Sequence, residues 1–167
     1  MKPSRSVLLP LAISEIDAKI DPDVWYSHGL RFACTQCGHC CSGGPGYVWL
    51  TDDDMQRIAN YLKLPLETFT RTYVRKVNGH SRFALTEKFN YDCTFLTRNP
   101  ETKQIGCTIY PVRPAQCRTW PFWTHNLKTP QSWQRTASSC PGMCVADAPT
   151  HALEHIEKCR QHPESPY

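Results

Sequence analysis

The feature that most constrains this chain is a run of four cysteines within eight residues, Cys34-Thr35-Gln36-Cys37-Gly38-His39-Cys40-Cys41. The first three are each separated by two residues, so their thiolates can curl around one centre. The same spacing begins the cluster loops of bacterial ferredoxins, in which the fourth cysteine comes from elsewhere in the chain. Structural zinc usually takes two separate CxxC pairs. The local pattern therefore favours an iron–sulfur cluster, although zinc accepts any four well-placed thiolates.

Four further cysteines occur singly along the chain: Cys93, Cys107, Cys117 and Cys140. Together with the four cysteines of the first run they make eight. Eight cysteines fit two metal sites with four ligands each, and they also fit one cluster with a separate redox-active pair. Because the side chains of adjacent residues usually point apart, Cys40 and Cys41 are not both expected to bind one metal atom. Three roles stay open for Cys41: a ligand of a second centre, an alternative ligand of the first centre, or a small hydrophobic residue packed in the core.

Composition restricts the class of protein. At 167 residues one domain can bury roughly two-thirds of the surface of the unfolded chain, and 40% of the residues are apolar, so ten cysteines exceed what stability requires. The net charge of +4 comes from scattered basic residues, which give no nucleic-acid surface. The apolar stretch Val7–Ile13 lacks a signal-peptide cleavage pattern, and no stretch approaches the roughly 18 apolar residues of a membrane span. We expect a cytoplasmic protein without nucleic-acid or membrane partners, in which clustered cysteines indicate metal or redox chemistry.

Three helices are predicted. The first is capped by Thr51, carries three aspartates in its first turn and ends before Pro65. A second is expected over Leu66–Val74 and a third from Thr150 to about Gln161. Apolar residues in each recur at helical spacing, which places them on one face.

Two hairpins are predicted between these helices. Asn78-Gly79 is a strong turn signal, because both turn positions require a positive φ. A second hairpin would join Cys93–Leu96 to Gln104–Cys107 and bring Cys93 near Cys107. Three further segments are short or irregular: a strand at Tyr47–Leu50, a short helix or turn at 110–118, and an irregular, tryptophan-rich stretch at 119–147.

Together these elements predict an α+β fold. We expect a small single domain with short hairpins, three or so helices and long loops arranged around a cysteine-ligated metal centre. Residues 1–30 are expected to form an extended N-terminal lead-in, anchored to the core by Val24-Trp25-Tyr26. Residues 31–145 would form the cysteine-cluster metal-binding domain, and residues 146–167 a C-terminal helix and tail.

Several blocks of residues follow one another in a distinctive order: Phe32-x-Cys34-x2-Cys37-Gly38-x-Cys40-Cys41, Leu50-Thr51-x2-Asp54, Cys93-x-Phe95-Leu96, Cys107-x-Ile109-Tyr110-x2-Arg113-Pro114-x2-Cys117-Arg118-x2-Pro121-Phe122, and Cys140-x-Gly142. This order resembles the CxxCxxCC cysteine-cluster family, the YkgJ-like proteins, which are described as zinc- or iron-chelating. The usual proline after the fifth cysteine is Thr94 here, a small departure. The resemblance implies eight metal ligands: Cys34, Cys37, Cys40, Cys41, Cys93, Cys107, Cys117 and Cys140. Two cysteines fall outside the pattern: Cys144 and Cys159.

Arg113 and Arg118 flank Cys117 and are candidate cofactor-binding residues. A guanidinium beside a thiolate cluster would donate hydrogen bonds to sulfur and stabilise the reduced, more negative state. The alternative is an arginine bound to a backbone carbonyl or exposed to solvent. His39 fits a solvent-facing loop better than a ligand, and His151 and His155, four residues apart, give only a weak metal signal.

Three functions remain open. The favoured hypothesis is an iron–sulfur protein, expected to hold a 4Fe–4S cluster, with an electron-transfer or redox role and an unidentified redox partner. If it is an enzyme, it would be an iron–sulfur oxidoreductase. The second is a structural zinc domain that contacts a partner protein, and the third is metal delivery or storage.

Overall fold

The computed structural model describes residues 20–77, 79 and 82–162. Within them lie six α-helices: α1 Asp52–Tyr61, α2 Leu66–Tyr73, α3 Ala115–Thr119, α4 Thr124–Leu127, α5 Pro130–Ala137 and α6 Leu153–Arg160. The same part of the chain holds seven short strands: β1 Leu30–Arg31, β2 Trp49–Leu50, β3 Val74–Lys76, β4 Phe83–Leu85, β5 Leu96–Arg98, β6 Ile105–Cys107 and β7 Thr150–His151. There are also three single 3-10 turns: His39–Cys41, Tyr110–Val112 and Pro141–Met143. The stretch Val7–Ile13 and most of the predicted lead-in fall outside the described residues.

The strands form three small antiparallel sheets, in the orders β2-β4-β3, β5-β6 and β1-β7. Strands β3 and β4 are the arms of the hairpin predicted at Asn78-Gly79, with Val74 opposite Leu85. Gly79 has the positive φ of +80° that the turn signal requires, while Asn78 lies outside the described residues. Of the strand predicted at Tyr47–Leu50, only Trp49 and Leu50 are in strand β2.

Helix α1 forms for the reason that the sequence suggested. The hydroxyl of Thr51 accepts the backbone N–H of Asp54 at 3.0 Å, and the Asp54 carboxylate accepts the N–H of Thr51 at 3.5 Å, which completes a capping box. On its inner face the helix buries Met55, Ile58 and Ala59. This fixes α1 against the sheet and presents Asp54 to the interior.

The apolar residues form two clusters. The first joins α1, α2 and the hairpin around Ile58, Phe69 and Ile109, and Cys93 and Cys107 pack against it. The second joins the N-terminal segment to α5 and α6 around Phe122 and Trp133, and it contains the predicted anchor Tyr26 together with these cysteines: Cys140 and Cys159. Cysteines from distant parts of the sequence are therefore held by both clusters.

The expectation that residues 119–147 are irregular is wrong, because this stretch contains α4 and α5. The hydroxyl of Thr129 accepts the N–H of Ser132 at 3.1 Å and so caps α5, while Pro130 occupies the first helical turn. A capping threonine followed by proline is a known helix-start signal. Trp133 on α5 then packs against Phe122, with ring centroids 6.0 Å apart.

Two element boundaries also differ from expectation. The last helix begins at Leu153 and not at Thr150, because Thr150 and His151 pair with the strand Leu30–Arg31. In the second hairpin the residue opposite Cys107 is Leu96, so Cys93 precedes the strand and does not face Cys107 across it. The backbone of Cys93 instead forms an isolated antiparallel β-bridge with that of Glu87.

The observed architecture is a small single domain of mixed α+β class, as predicted, with more helices than the three or so expected. The division at residues 30 and 145 stays a prediction. In the part of the chain that the structure describes, none of the helices has the length and hydropathy needed to cross a membrane.

Candidate metal centre

One cavity brings together all of the cysteines that the resemblance implied as ligands. It has a volume of about 70 Å³. Its lining includes eight thiol-bearing residues: Cys34, Cys37, Cys40, Cys41, Cys93, Cys107, Cys117 and Cys140. Cys144 is exposed and Cys159 is buried beside His155, and neither lines this cavity.

Close backbone approaches hold the cysteine-bearing segments around the cavity. Gly38 has a φ of +78°, and a Cβ there would lie 2.7 Å from the Ile105 Cγ2 atom, so only glycine lets the first cysteine loop meet β6. A Cβ on Gly142 would lie 2.3 Å from the Ala33 carbonyl oxygen. That contact seats the Cys140 segment against the start of the loop, where the Ala33 N–H donates to the Gly142 carbonyl at 3.0 Å.

The thiols of Cys40 and Cys41 lie on the same side of their 3-10 turn, with Sγ atoms 3.7 Å apart. The expectation that these adjacent side chains point apart is therefore wrong. Their mutual hydrogen bond, aided by the charge of Arg113, lowers the pKa of Cys40 to about 7. The same hydrogen bond, with burial, raises the pKa of Cys41 far above its ordinary value. Of these two thiols, Cys40 is thus the one more ready to become a thiolate.

Burial is the main reason that four further cavity thiols resist ionisation. It raises the pKa of four cysteines above the ordinary value: Cys93, Cys107, Cys117 and Cys140. Neighbouring thiols add to the rise because like charges repel. A positively charged metal would offset both effects, and its binding would release protons.

The two predicted cofactor-binding arginines occupy different places. The guanidinium of Arg113 lines the cavity, lies 4.1 Å from the centroid of the Tyr110 ring and donates to the Tyr110 carbonyl at 2.9 Å. Arg118 lies outside the cavity wall, where it donates to the Arg113 carbonyl at 2.6 Å and approaches Asp54 at 4.0 Å. Arg113 therefore acts on several thiols from the cavity wall. Arg118 holds the backbone outside the wall, and it also interacts electrostatically with Cys117.

The remaining wall is largely apolar. Phe32, Leu96, Ile109 and Trp120 contribute to it. The tryptophan-rich stretch at 119–147 thus reaches the cavity through Trp120. The ring of Trp120 meets that of Trp123 edge to face, with centroids 4.7 Å apart. Such walls lower the local dielectric and strengthen electrostatic interactions at the thiols.

A second cavity, of about 280 Å³, adjoins the first. Four cysteines line both: Cys40, Cys41, Cys93 and Cys117. Its other walls include Tyr47, Tyr91 and Trp123. These four cysteines therefore form a partition between the two cavities.

The donor set fits a thiophilic metal, because soft thiolates select zinc and iron–sulfur clusters. As the side chains stand, no three His, Cys, Asp or Glu groups among residues 20–77, 79 and 82–162 are close enough together to hold one ion. Metal binding would therefore need rotation of cysteine side chains towards the cavity centre.

Three histidines that the sequence offered as possible ligands lie apart from the cavity. His39 is exposed, and its ring contacts the Ser139 carbonyl. His151 stacks on His155 with centroids 4.9 Å apart and contacts the Phe32 carbonyl at 3.0 Å. None of the three lines the cysteine cavity.

Sequence reasoning missed the second role of Asp54. It explained this aspartate by the start of a helix, but the carboxylate also accepts the N–H of Ala115, the first residue of the helix that carries Cys117. The sequence did contain a signal for this second role. Asp54 belongs to the block Leu50-Thr51-x2-Asp54 of the family pattern, whereas a helix cap alone does not require an aspartate at this position.

The comparisons with known proteins agree with the cysteine arrangement. A protein of Methanocaldococcus jannaschii with the name "Uncharacterized protein MJ0661" is 36% identical over 104 residues, which cover 62% of this chain and 51% of that protein. The chain thus spans about half the length of that relative. No solved structure matches the chain. Residues 33–141, which are 109 of the 167, match the model of a family described as "Putative zinc- or iron-chelating domain". The chain therefore belongs to the CxxCxxCC family.

Proposed function

We propose that the cysteine cavity holds an iron–sulfur cluster and that the protein serves an electron-transfer or redox role. The observation that carries the proposal is the arrangement of eight thiols around one cavity. Its volume of about 70 Å³ is several times the roughly 10–15 Å³ that a single water molecule needs. A polyatomic cluster suits such a space better than one ion does.

The surroundings suit a redox centre. An iron–sulfur cluster supplies one-electron transfer when bound, and its reduction adds negative charge. Arg113 lines the cavity and its charge lowers the pKa of nearby thiols, so it would stabilise that added charge. Leu96, Ile109 and Trp120 present apolar surface to the same space.

The centre would also lie near the protein surface. Cys34 and Cys40 are exposed residues, although their side chains line the cavity. A redox partner could therefore approach closely without a change of fold. All ten cysteines are free, which suits a reducing compartment, and we propose the cytoplasm.

A second candidate is a zinc–thiolate domain that contacts a partner protein, or that delivers or stores metal. One observation favours it: the Sγ atoms of Cys40 and Cys41 are 3.7 Å apart. Zn–S bonds of about 2.3 Å in a tetrahedron place two sulfurs roughly 3.8 Å apart. The iron–sulfur candidate thus rests on all eight cavity thiols, whereas the zinc candidate rests on the Cys40–Cys41 pair.

The test is anaerobic purification followed by visible absorption spectroscopy and by analysis of iron, acid-labile sulfide and zinc. We expect broad sulfur-to-iron absorption with matched iron and sulfide. The Cys37→Ser variant should lose most of this signal, because Cys37 lines the cavity. Cys144→Ser, at an exposed thiol outside the cavity, should retain it. A colourless protein with stoichiometric zinc and no sulfide would overturn the redox proposal and favour the zinc candidate.

A further inference from the structure

We propose that the eight cavity cysteines form two adjoining four-thiolate centres. The first, the shared-wall set, consists of Cys40, Cys41, Cys93 and Cys117. The second, the first-cavity set, consists of Cys34, Cys37, Cys107 and Cys140. This inference rests on the proposed metal function of the cavity and adds the number of centres and the division of ligands between them.

The division follows from the cavities themselves. All eight cysteines line the smaller cavity, but only the shared-wall set also lines the larger one. Its four thiols therefore lie on the partition, and those of the first-cavity set line only the other walls. The CxxCxxCC run is thus split in space, with its first two cysteines in one set and its last two in the other.

Backbone contacts join the members of the shared-wall set. The N–H of Cys93 donates to the Cys41 carbonyl at 2.7 Å, which holds these distant residues side by side. The Sγ atoms of Cys40 and Cys41 lie 3.7 Å apart. Cys117 reaches the partition from α3, whose position is fixed by Asp54.

Separate contacts join the first-cavity set. The Ala33–Gly142 approach brings Cys140 to the start of the first loop, beside Cys34 and Cys37. The Gly38–Ile105 approach brings β6, which ends in Cys107, against the same loop.

The sulfur separation indicates the kind of centre at the partition. Cys40 and Cys41 hold their Sγ atoms 3.7 Å apart, close to the roughly 3.8 Å between two thiolates on one tetrahedral zinc ion. A four-iron cluster with four cysteine ligands binds each cysteine to a different iron. The shared-wall set therefore suits a mononuclear tetrahedral ion, which leaves the first-cavity set to hold the cluster of the proposed function or a second such ion.

The experiment counts metal ions with Zn²⁺ as the probe, so that it does not depend on cluster assembly. Full-length apoprotein is reconstituted with Zn²⁺ under reducing, anaerobic conditions and weighed by native mass spectrometry. We expect two zinc ions per chain, and one in either Cys41→Ser or Cys140→Ser. Combining Cys41→Ser with Cys93→Ser should still leave one, whereas combining Cys41→Ser with Cys140→Ser should leave none. Cys144→Ser should keep both.

Alkylation mapped by mass spectrometry shows which thiols each ion protects. In zinc-loaded Cys41→Ser, we expect the first-cavity set to stay protected while Cys40, Cys93 and Cys117 become reactive. Cys159 is buried outside both sets and reports folding, since it should become reactive only if the chain unfolds. If Cys41→Ser unfolds, Cys93→Ser and Cys117→Ser serve the same comparison.

A wild-type stoichiometry of one zinc ion would overturn the division, and so would loss of all zinc from a folded single variant. Two ions with the expected pattern, in a protein that assembles no iron and sulfide, would support the division while refuting the iron–sulfur function. The two proposals therefore fail separately.

Discussion

The backbone N–H of Ala115 lies 3.3 Å from each carboxylate oxygen of Asp54. Asp54 is almost wholly buried, and its carboxylate also accepts from Arg57 and from the N–H of Thr51. It therefore joins the start of α1 to the start of α3. Because α3 carries Cys117, a residue outside the cavity sets the position of a thiol inside it.

The Asp54→Ala variant should lose stability and misplace Cys117. It leaves the Ala115 N–H without its partner, which costs about 1–3 kcal/mol when the group is buried, and urea titration measures the loss. In the folded apoprotein, alkylation of Cys117 should quicken more than that of Cys93, because only the former depends on α3. Asp53→Ala, at an exposed position of the same helix, is the matched control. Equal acceleration at both thiols would show general loosening and would contradict a positioning role.

The Arg113→Gln variant should lower the reduction potential of the iron-loaded protein. Removing a positive charge that faces the thiols destabilises the more negative, reduced state. A change on the order of 1 kcal/mol corresponds to roughly 40 mV for one electron, which protein-film voltammetry can resolve. Arg118→Gln should shift the potential less, since Arg118 lies outside the cavity wall. Equal shifts in the two variants would refute the distinction.

The Gly142→Ala variant should be destabilised by about 1–3 kcal/mol, the usual cost of overpacking. The new Cβ would meet the Ala33 carbonyl oxygen at 2.3 Å, and this backbone atom cannot rotate away. The free energy of unfolding should fall, together with the zinc content of the first-cavity set. Gly44→Ala is the control, because a Cβ there meets nothing within 4 Å. Wild-type stability and zinc content in Gly142→Ala would show that the loop tolerates the displacement.

Glu157 should make stability depend on pH in the acid range. Burial raises the pKa of its carboxyl, but hydrogen bonds from Arg160, Tyr26 and Gln161 outweigh burial and hold the pKa below its ordinary value of 4.5. The carboxyl therefore contributes stability above pH 4.5 that is lost as the pH falls through the lower, folded-state pKa.

Glu157→Gln should flatten this dependence. Its stability at neutral pH should be lower than that of the wild type, and the difference should shrink progressively below pH 4.5. Thermal unfolding of the apoprotein at several pH values measures both effects. Glu154→Gln, on an exposed face of the same helix, should follow the wild-type curve, and a parallel displacement of the Glu157→Gln curve at all pH values would contradict the assignment.

Local signals predicted the elements whose causes are local. The helix after Thr51 and the hairpin at Asn78-Gly79 follow from capping and turn preferences within a few residues. The same kind of signal, a capping threonine followed by proline, is present at Thr129-Pro130 and is enough to predict the start of α5. The start of α6 could not be found this way, since Thr150 pairs with Arg31, far away in sequence.

The sequence by itself determined the family and the eight candidate ligands, because residue type and spacing carry that information without knowledge of the fold. Only the tertiary structure decided how those ligands are shared. The side-by-side thiols of Cys40 and Cys41 depend on a tight turn, and the approach of Cys93 to Cys41 depends on a hydrogen bond between segments about fifty residues apart. It also placed Arg113 in the cavity wall and Arg118 outside that wall. Such relationships arise from long-range packing, whereas sequence patterns report mainly on neighbours along the chain.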